Sequence, residues 1–354
     1  MLHPEHNDER FGIPDAFGCH SKASGPLGRL WLLASGGIVT GMFSLVLGLL
    51  TSGLFAQPSE NVLSLKSPST PIHSLCFAPE GLRIASCDTT GRLSLWQLPE
   101  EKPRSEWGGP DRKIKCLAFS PDRELMAWGT WDGSIVLWNL RDGRRETTLH
   151  RRDVSIAALE FSPDGKTLAS GDVSGSLVLW DVSSGQLLEV HETQSRIITD
   201  LDFSSDSRSL TTAVRDDLGG MLLVVEVPSG EVRQQLRLTP QSIVRRVEFL
   251  PSDNKVLWLD LGAQHLECWD LIRGESESLF DVHHRVTSFA LSPDGTTLAL
   301  GTSEGEVMLR AWENLQVLHR LQDQPNPIHS LDFSHDGRLV AVGGVVSGLV
   351  VWKP

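Results

Sequence analysis

The chain has 354 residues, 40% of them apolar, which suffices for one large repeat-built domain and little else. A formal net charge of −13 argues against a surface built to neutralise nucleic-acid phosphates and favours solubility. The cysteines lack the spaced framework of a disulfide-built module.

The first 29 residues are polar, contain several Gly and Pro, show no periodicity, and are expected to be a disordered leader. No charged residue then occurs between Arg29 and Glu60, and residues 30–56 are long enough for a helix across a hydrocarbon core of ~30 Å. A cleaved signal peptide fits less well, because the leader is long, the apolar run exceeds the usual core of about 7 to 15 residues, and Leu54 would occupy the −3 place of a cleavage after Ala56. The expectation is an uncleaved anchor. Lys22 and Arg29 before the span outweigh Lys66 after it, which puts the N-terminus in the cytoplasm and the rest in the exoplasmic or periplasmic space. Gly37 and Gly41 form a G-x-x-x-G through which two such helices could meet as a weak homodimer.

Beyond the span, Phe77, Phe119, Phe161, Phe203, Phe249, Leu291 and Phe333 form a ladder with steps of 42, 42, 42, 46, 42 and 42 residues. A self-similar unit of about 40 to 45 residues is the signature of a propeller blade, a four-stranded sheet that cannot bury both faces without neighbours. Each unit opens with a short apolar strand and a turn such as Ser162-Pro163-Asp164-Gly165. A second strand and a Gly-containing turn follow, then a third strand ending in a large aromatic at Trp96, Trp138, Trp180, Trp269 and Trp352. Trp180-Asp181 and Trp269-Asp270 supply the dipeptide of a known family, and the seven units from about Ile72 to Pro354 resemble WD40 repeats, of a membrane-anchored, bacterial type.

The last unit stops two residues after Trp352, with no room for an outer strand. Leu65 lies twelve residues before Phe77, as Trp107 and Leu149 do before the next two ladder positions, so Val62 to Leu65 should be an outer strand that closes blade seven. Such a mixed blade is usual in WD40 propellers and removes an open edge. The resemblance also implies a buried His, Ser/Thr, Trp and Asp set, which looks decayed here. In the turn between second and third strands only Asp132 is present, with Ser174, Glu304 and Ser347 at matching places. Blade four has Val225-Glu226 for Trp-Asp, and Arg310 takes the Trp place in blade six with Trp312 two residues on, predicting a slipped or bulged third strand.

Cys76 and Cys87 fall on adjacent strands of blade one, diagonal at ~7 Å, where a disulfide would be strained; buried free thiols are expected. Arg141, Arg144, Arg145, Arg151 and Arg152 cluster near the outer strand of blade two without interleaved aromatics and read as a solvated rim.

No nucleophile elbow, H-E-x-x-H, C-x-x-C pair, phosphate loop or Rossmann fingerprint occurs. No catalytic residue, metal ligand or cofactor is assigned, and His283 and His284 read as loop residues. Four places before the ladder, where inner strands leave the upper loops, stand His73, Lys115, Ala157, Thr199, Arg245, Thr287 and His329, of which four can be positive. One place before it stand Cys76, Ala118, Glu160, Asp202, Glu248, Ala290 and Asp332, of which four are acidic. A wet, charge-lined channel follows. Trp131, next to Asp132, is either a partner contact or packing between blades. The 46-residue step places an insertion around Arg215, Asp216, Asp217, Leu218 and Gly219, either a binding loop or simple drift.

The expected protein is all-β, a seven-bladed propeller over 57–354 preceded by a leader at 1–29 and a transmembrane helix at 30–56. It should be a non-enzymatic scaffold binding other proteins through Trp131, His73, Lys115, Arg245, His329, Arg215, Asp216 and Asp217, without nucleic acid. The alternative is an exoplasmic propeller that binds or processes a small molecule or metal in its channel.

Overall fold

The computed structural model describes residues 62–353 apart from 66–69, 109–112, 194–196, 217–218, 263–264, 282–285, 323–326 and 345–347. These residues form seven four-stranded antiparallel sheets, the blades of a β-propeller. The innermost strands are Ile72–Phe77, Ile114–Phe119, Ile156–Phe161, Ile197–Phe203, Val244–Phe249, Val286–Leu291 and Ile328–Phe333, so every ladder residue ends an innermost strand.

Blade three shows why these segments become strands. Its two middle strands, Thr167–Asp172 and Ser176–Asp181, are buried almost throughout because neighbouring blades cover both faces. Exposure returns at the outermost strand, Leu187–Glu192. The first turn is set by Ser162, whose hydroxyl donates to Asp164 at 2.7 Å and accepts from the Thr167 amide at 3.0 Å, while Gly165 takes φ +72°. Serines 120, 204, 292 and 334 do the same with Asp122, Asp206, Asp294 and Asp336 in four other blades.

Blades lock through a small residue on one and an isoleucine on the next. Ile156 and Ile198 lie over Gly129 and Gly171, where a Cβ would come within 2.6 Å and 2.3 Å of the isoleucine methyls. A larger side chain at either glycine would wedge the blades apart.

The ring closes as the spacing requires. Val62–Leu65 pairs antiparallel with Leu349–Trp352, from Val62 opposite Trp352 to Leu65 opposite Leu349, and completes blade seven. The insertion in blade four lengthens the hairpin to Ser209–Asp216 and Gly219–Glu226, paired out to Asp216 opposite Gly219.

Three expectations are corrected. The third strand of blade six is not slipped: Thr297 faces Ala311 and Leu298 faces Arg310 in unbroken register. The other alternative, a bulge, is present between Leu309 and Arg310 toward the outer strand, but it recurs at Leu95/Trp96 and Leu179/Trp180 in blades that keep the tryptophan. Second, in blades one and three the turn aspartate is not lost but displaced by two residues. Asp88 accepts from Thr90 and from the amides of Thr90 and Arg92, and Asp172 accepts likewise from Ser174 and Ser176. Blade two holds the same pair with its members exchanged, Thr130 donating to Asp132. Hydroxyl and carboxylate can trade places because either can accept the amide of the following strand. Third, the arginine cluster is not uniformly a solvated rim. Arg151 bonds Ser176 at 2.9 Å and Glu192 at 2.6 Å, tying blade two to blade three, and Arg152 lies 3.0 Å from the same carboxylate.

Cys76, Cys87, Cys116 and Cys268 are free thiols, with Cys87 donating to the Ile114 carbonyl at 3.2 Å. Of the hydrogen-bonding set, Trp96 reaches Ser86 and Trp180 reaches Ser170, at 2.9 and 2.8 Å. The expected leader, span and Gly37–Gly41 pair lie outside the described residues; among those described, no helix is long and apolar enough to cross a membrane.

Candidate functional site

The innermost strands surround a cavity of about 500 Å³ on the propeller axis. Its upper mouth, where these strands begin, carries His73, Lys115, Ala157, Thr199, Arg245, Thr287 and His329, and the acidic positions lie deeper along the same wall. The repeat register thus gathers the first ring read from the sequence and, apart from the core residue Ala290, the second. A bulge at the second residue of six of the innermost strands, such as between Ile72 and Ser74, turns this position toward the axis.

The deeper carboxylates serve as staples between blades. Asp332 accepts the Phe77 amide at 2.7 Å, Asp202 accepts that of Phe249 at 2.5 Å, and Glu248 that of Leu291 at 3.3 Å. Each acid caps the ladder residue of the next blade, whose amide has no strand partner on the channel side. Asp200 bonds the Val247 amide at 2.9 Å in the same sense. Glu160, at the corresponding place in blade three, has no hydrogen-bond partner among the described residues.

One cation offsets them. Arg246 of blade five donates to the Leu331 carbonyl of blade seven at 2.8 Å, lies 3.9 Å from Glu248 and sits 5.6 Å from the Phe289 ring centre of blade six. It braces three blades. Burial and the neighbouring acids push Glu160 up to about 8, and burial raises Glu248 to about 7 and Asp200 and Asp332 to about 6 against the pull of Arg246. Asp202 is also raised well above its ordinary value by burial and by Glu160 and Glu248. Among the described residues no group of three or more His, Cys, Asp or Glu could hold a metal ion.

The mouth differs from the sequence expectation in its charge. His73 donates Nε2–H to the Lys115 carbonyl at 2.8 Å, and burial lowers its pKa; His329 is lowered by burial and by the Arg245 charge. Both are therefore neutral at pH 7, and only Lys115 and Arg245 of the four are charged. Trp131 compensates in another way. Its amide bonds the Lys113 carbonyl at 3.1 Å, which brings the turn after the second strand of blade two beside the mouth. The Lys113 and Lys115 ammonium groups lie 5.0 and 4.8 Å from the indole centre, yet the side chain stays 54% exposed. Packing between blades is thereby excluded as its role.

Arg215 is exposed at the tip of the lengthened hairpin, opposite Ile197, and Asp216 is half-buried beside it. Asp217, His283 and His284 lie outside the described residues. Arg246, Asp200 and Lys113 were missed by the sequence reading. The first two stand three places before the ladder, in a column reading Ser74, Cys116, Ala158, Asp200, Arg246, Ser288 and Ser330, so tabulating that column would have found them.

Against known families, the model described as anaphase-promoting complex subunit 4 WD40 domain matches residues 118–206 and 267–336. The model described as WD domain, G-beta repeat matches residues 59–97. No curated protein matches the chain. Seven closed four-stranded blades, the Trp96–Ser86 and Trp180–Ser170 pairs and these two matches place the chain in the WD40-repeat family.

Proposed function

We propose that this protein is a non-enzymatic docking platform that engages a protein partner through the upper face of its propeller and is held at a membrane by residues 30–56. The observation that carries the docking reading is Trp131, a large aromatic left 54% exposed between two lysines at the channel mouth. Indoles of this kind dominate interface energetics because they remove much area from water at small entropic cost. The closed ring fixes the loops of seven blades, so little ordering entropy opposes binding. Lys115, Arg245, His73, His329, Arg215 and Asp216 complete the surface. The channel itself has less support as a reaction site, since four of its five acids already hold backbone amides.

The membrane reading rests on the uncharged run from residue 30 to 56 and on Lys22 and Arg29 against Lys66, which direct the propeller to the exoplasmic side. Tethering would raise the local concentration of partners. A photo-cross-linking residue in place of Trp131 should trap a discrete partner in cells, and the same residue in place of Leu82, on the opposite face, should not. Equal labelling from both positions would reject the upper face. A protease-sensitive tag after Pro354 should be cleaved from outside intact cells; protection until lysis would overturn the orientation.

A further inference from the structure

The upper face combines two chemistries that together specify a partner. Among the described residues, eight large apolar side chains are exposed, and three of them are Trp131, Val173 at 37% and Ile197 at 44%. They belong to blades two, three and four in succession. Trp131 and Val173 occupy the same place in their repeats, each with its amide on the carbonyl at the start of its own blade, Lys113 at 3.1 Å and Ser155 at 3.1 Å. Ile197 begins the innermost strand of blade four, at that same upper end. An apolar arc therefore borders the mouth on one side.

The charges at the mouth are of one sign. Lys113 and Lys115 flank the indole, and neither they nor Arg245 have an ion-pair partner within 4 Å among the described residues. Three acids of the upper turns, by contrast, are committed to their own turns: Asp88 to Thr90 and Arg92, Asp132 to Thr130 and Ser134, Asp172 to Ser174 and Ser176. On a chain of net charge −13, a basic mouth of three unpaired cations is a local inversion of the prevailing sign. Such an island orients and selects an oppositely charged partner.

We infer that the mouth takes an acidic linear segment of a protein partner, with Asp or Glu carboxylates on Lys113, Lys115 and Arg245 and adjacent apolar side chains on Trp131, Val173 and Ile197. This rests on the docking reading above and names the partner's chemistry. The depth of entry follows from the channel wall. Beneath the mouth Asp200 and Asp332, raised only to about 6, stay ionised at pH 7 and outnumber Arg246, so a carboxylate is disfavoured there and the segment lies across the mouth without threading.

The test uses three fluorescein-labelled 12-residue peptides with leucines flanking a central Glu-Asp-Glu, Lys-Lys-Lys or Ser-Ser-Ser. Anisotropy is read against the full chain in a mild non-ionic detergent, with detergent alone as the blank. The acidic peptide should bind saturably, lose affinity as NaCl rises, and weaken by about tenfold or more on Lys113→Glu and on Arg245→Gln, and also on Trp131→Ala. Lys113 is exposed, so its reversal leaves folding intact and keeps the outcome readable. Acidic binding no tighter than that of the serine peptide, or unchanged by Lys113→Glu and Arg245→Gln, overturns the inference. If instead the serine or lysine peptide binds and depends on Trp131, the acidic specificity is wrong while the docking face stands. Loss of Trp131 dependence for all three peptides also overturns the inference, and the cross-linking comparison of Trp131 with Leu82 then decides the docking face separately.

Discussion

Replacing Arg246 with Met should destabilise the propeller by an amount that depends on pH. The thioether side chain keeps much of the arginine stem but removes the bond to the Leu331 carbonyl at 2.8 Å, a charged hydrogen bond of roughly 1.5–3 kcal/mol. It also removes the charge 3.9 Å from Glu248, an attraction of about 4 kcal/mol at an effective dielectric constant near 20. Desolvating the guanidinium opposes both, so the net loss at pH 8 should be about 3–4 kcal/mol. In a propeller of this size that is a fall in Tm of roughly 6–8 °C. At pH 5.5 the loss should shrink to about 1–2 kcal/mol, because Glu160 and Glu248, raised to about 8 and about 7, are then largely neutral and need no counter-charge. The sign is fixed by linkage: an acid whose pKa is raised on folding stabilises below its unfolded value near 4 and loses that contribution as pH rises through the folded value. The native protein should therefore itself lose Tm between pH 5.5 and 8.5. On the acid side it is limited by turn aspartates such as Asp294 and Asp336, held low by the Ser292 and Ser334 hydroxyls, whose contribution is lost as pH falls below about 4. Thermal unfolding followed by circular dichroism at pH 5.5, 7.0 and 8.5 decides the matter. An equal loss of Tm at all three pH values would show that Arg246 acts through packing and its Leu331 bond alone and refute the pairing with the channel acids.

Deleting residues 60–66 removes the strand that pairs with Leu349–Trp352 and unburies the contact of Leu65, which is 2% exposed. The freed edge should drive association, seen as aggregate by size-exclusion chromatography, and a monomer with unchanged Tm would refute the closure. Ser170→Ala leaves the Trp180 indole N–H buried without its 2.8 Å partner and should cost about 1–3 kcal/mol by denaturant titration. A change below about 0.5 kcal/mol would mean that the bond is replaced or contributes nothing net.

Most of the fold was legible in the chain because each blade is a local event repeated. The ladder from Phe77 to Phe333, the Ser-x-Asp turns and the early Val62 to Leu65 strand are short-range patterns, and ring closure follows from counting strands. The displaced turn acid was misread because Asp88 and Thr90 can exchange roles, so that identity at one position does not report the interaction. Blade six looked slipped because Arg310 replaces a tryptophan; the register is held instead by backbone pairing and by the buried Leu298, Leu300 and Leu309 around it.

The candidate site was legible only in outline. The repeat register correctly predicted which residues share a ring, since every innermost strand enters the axis at the same phase. Charge and exposure are properties of neighbours distant in sequence, and these came from the tertiary structure alone. Burial and the Arg245 charge make His329 neutral, Arg246 reaches Leu331 across 85 residues, and Asp332 caps Phe77 across 255. The sequence by itself determined the repeating blade and its closure, because hydrophobic period and turn chemistry act over a few residues. Only the closed ring decided which acids became staples, which arginine became a brace and which aromatic was left facing solvent, because those outcomes depend on what the neighbouring blade presents.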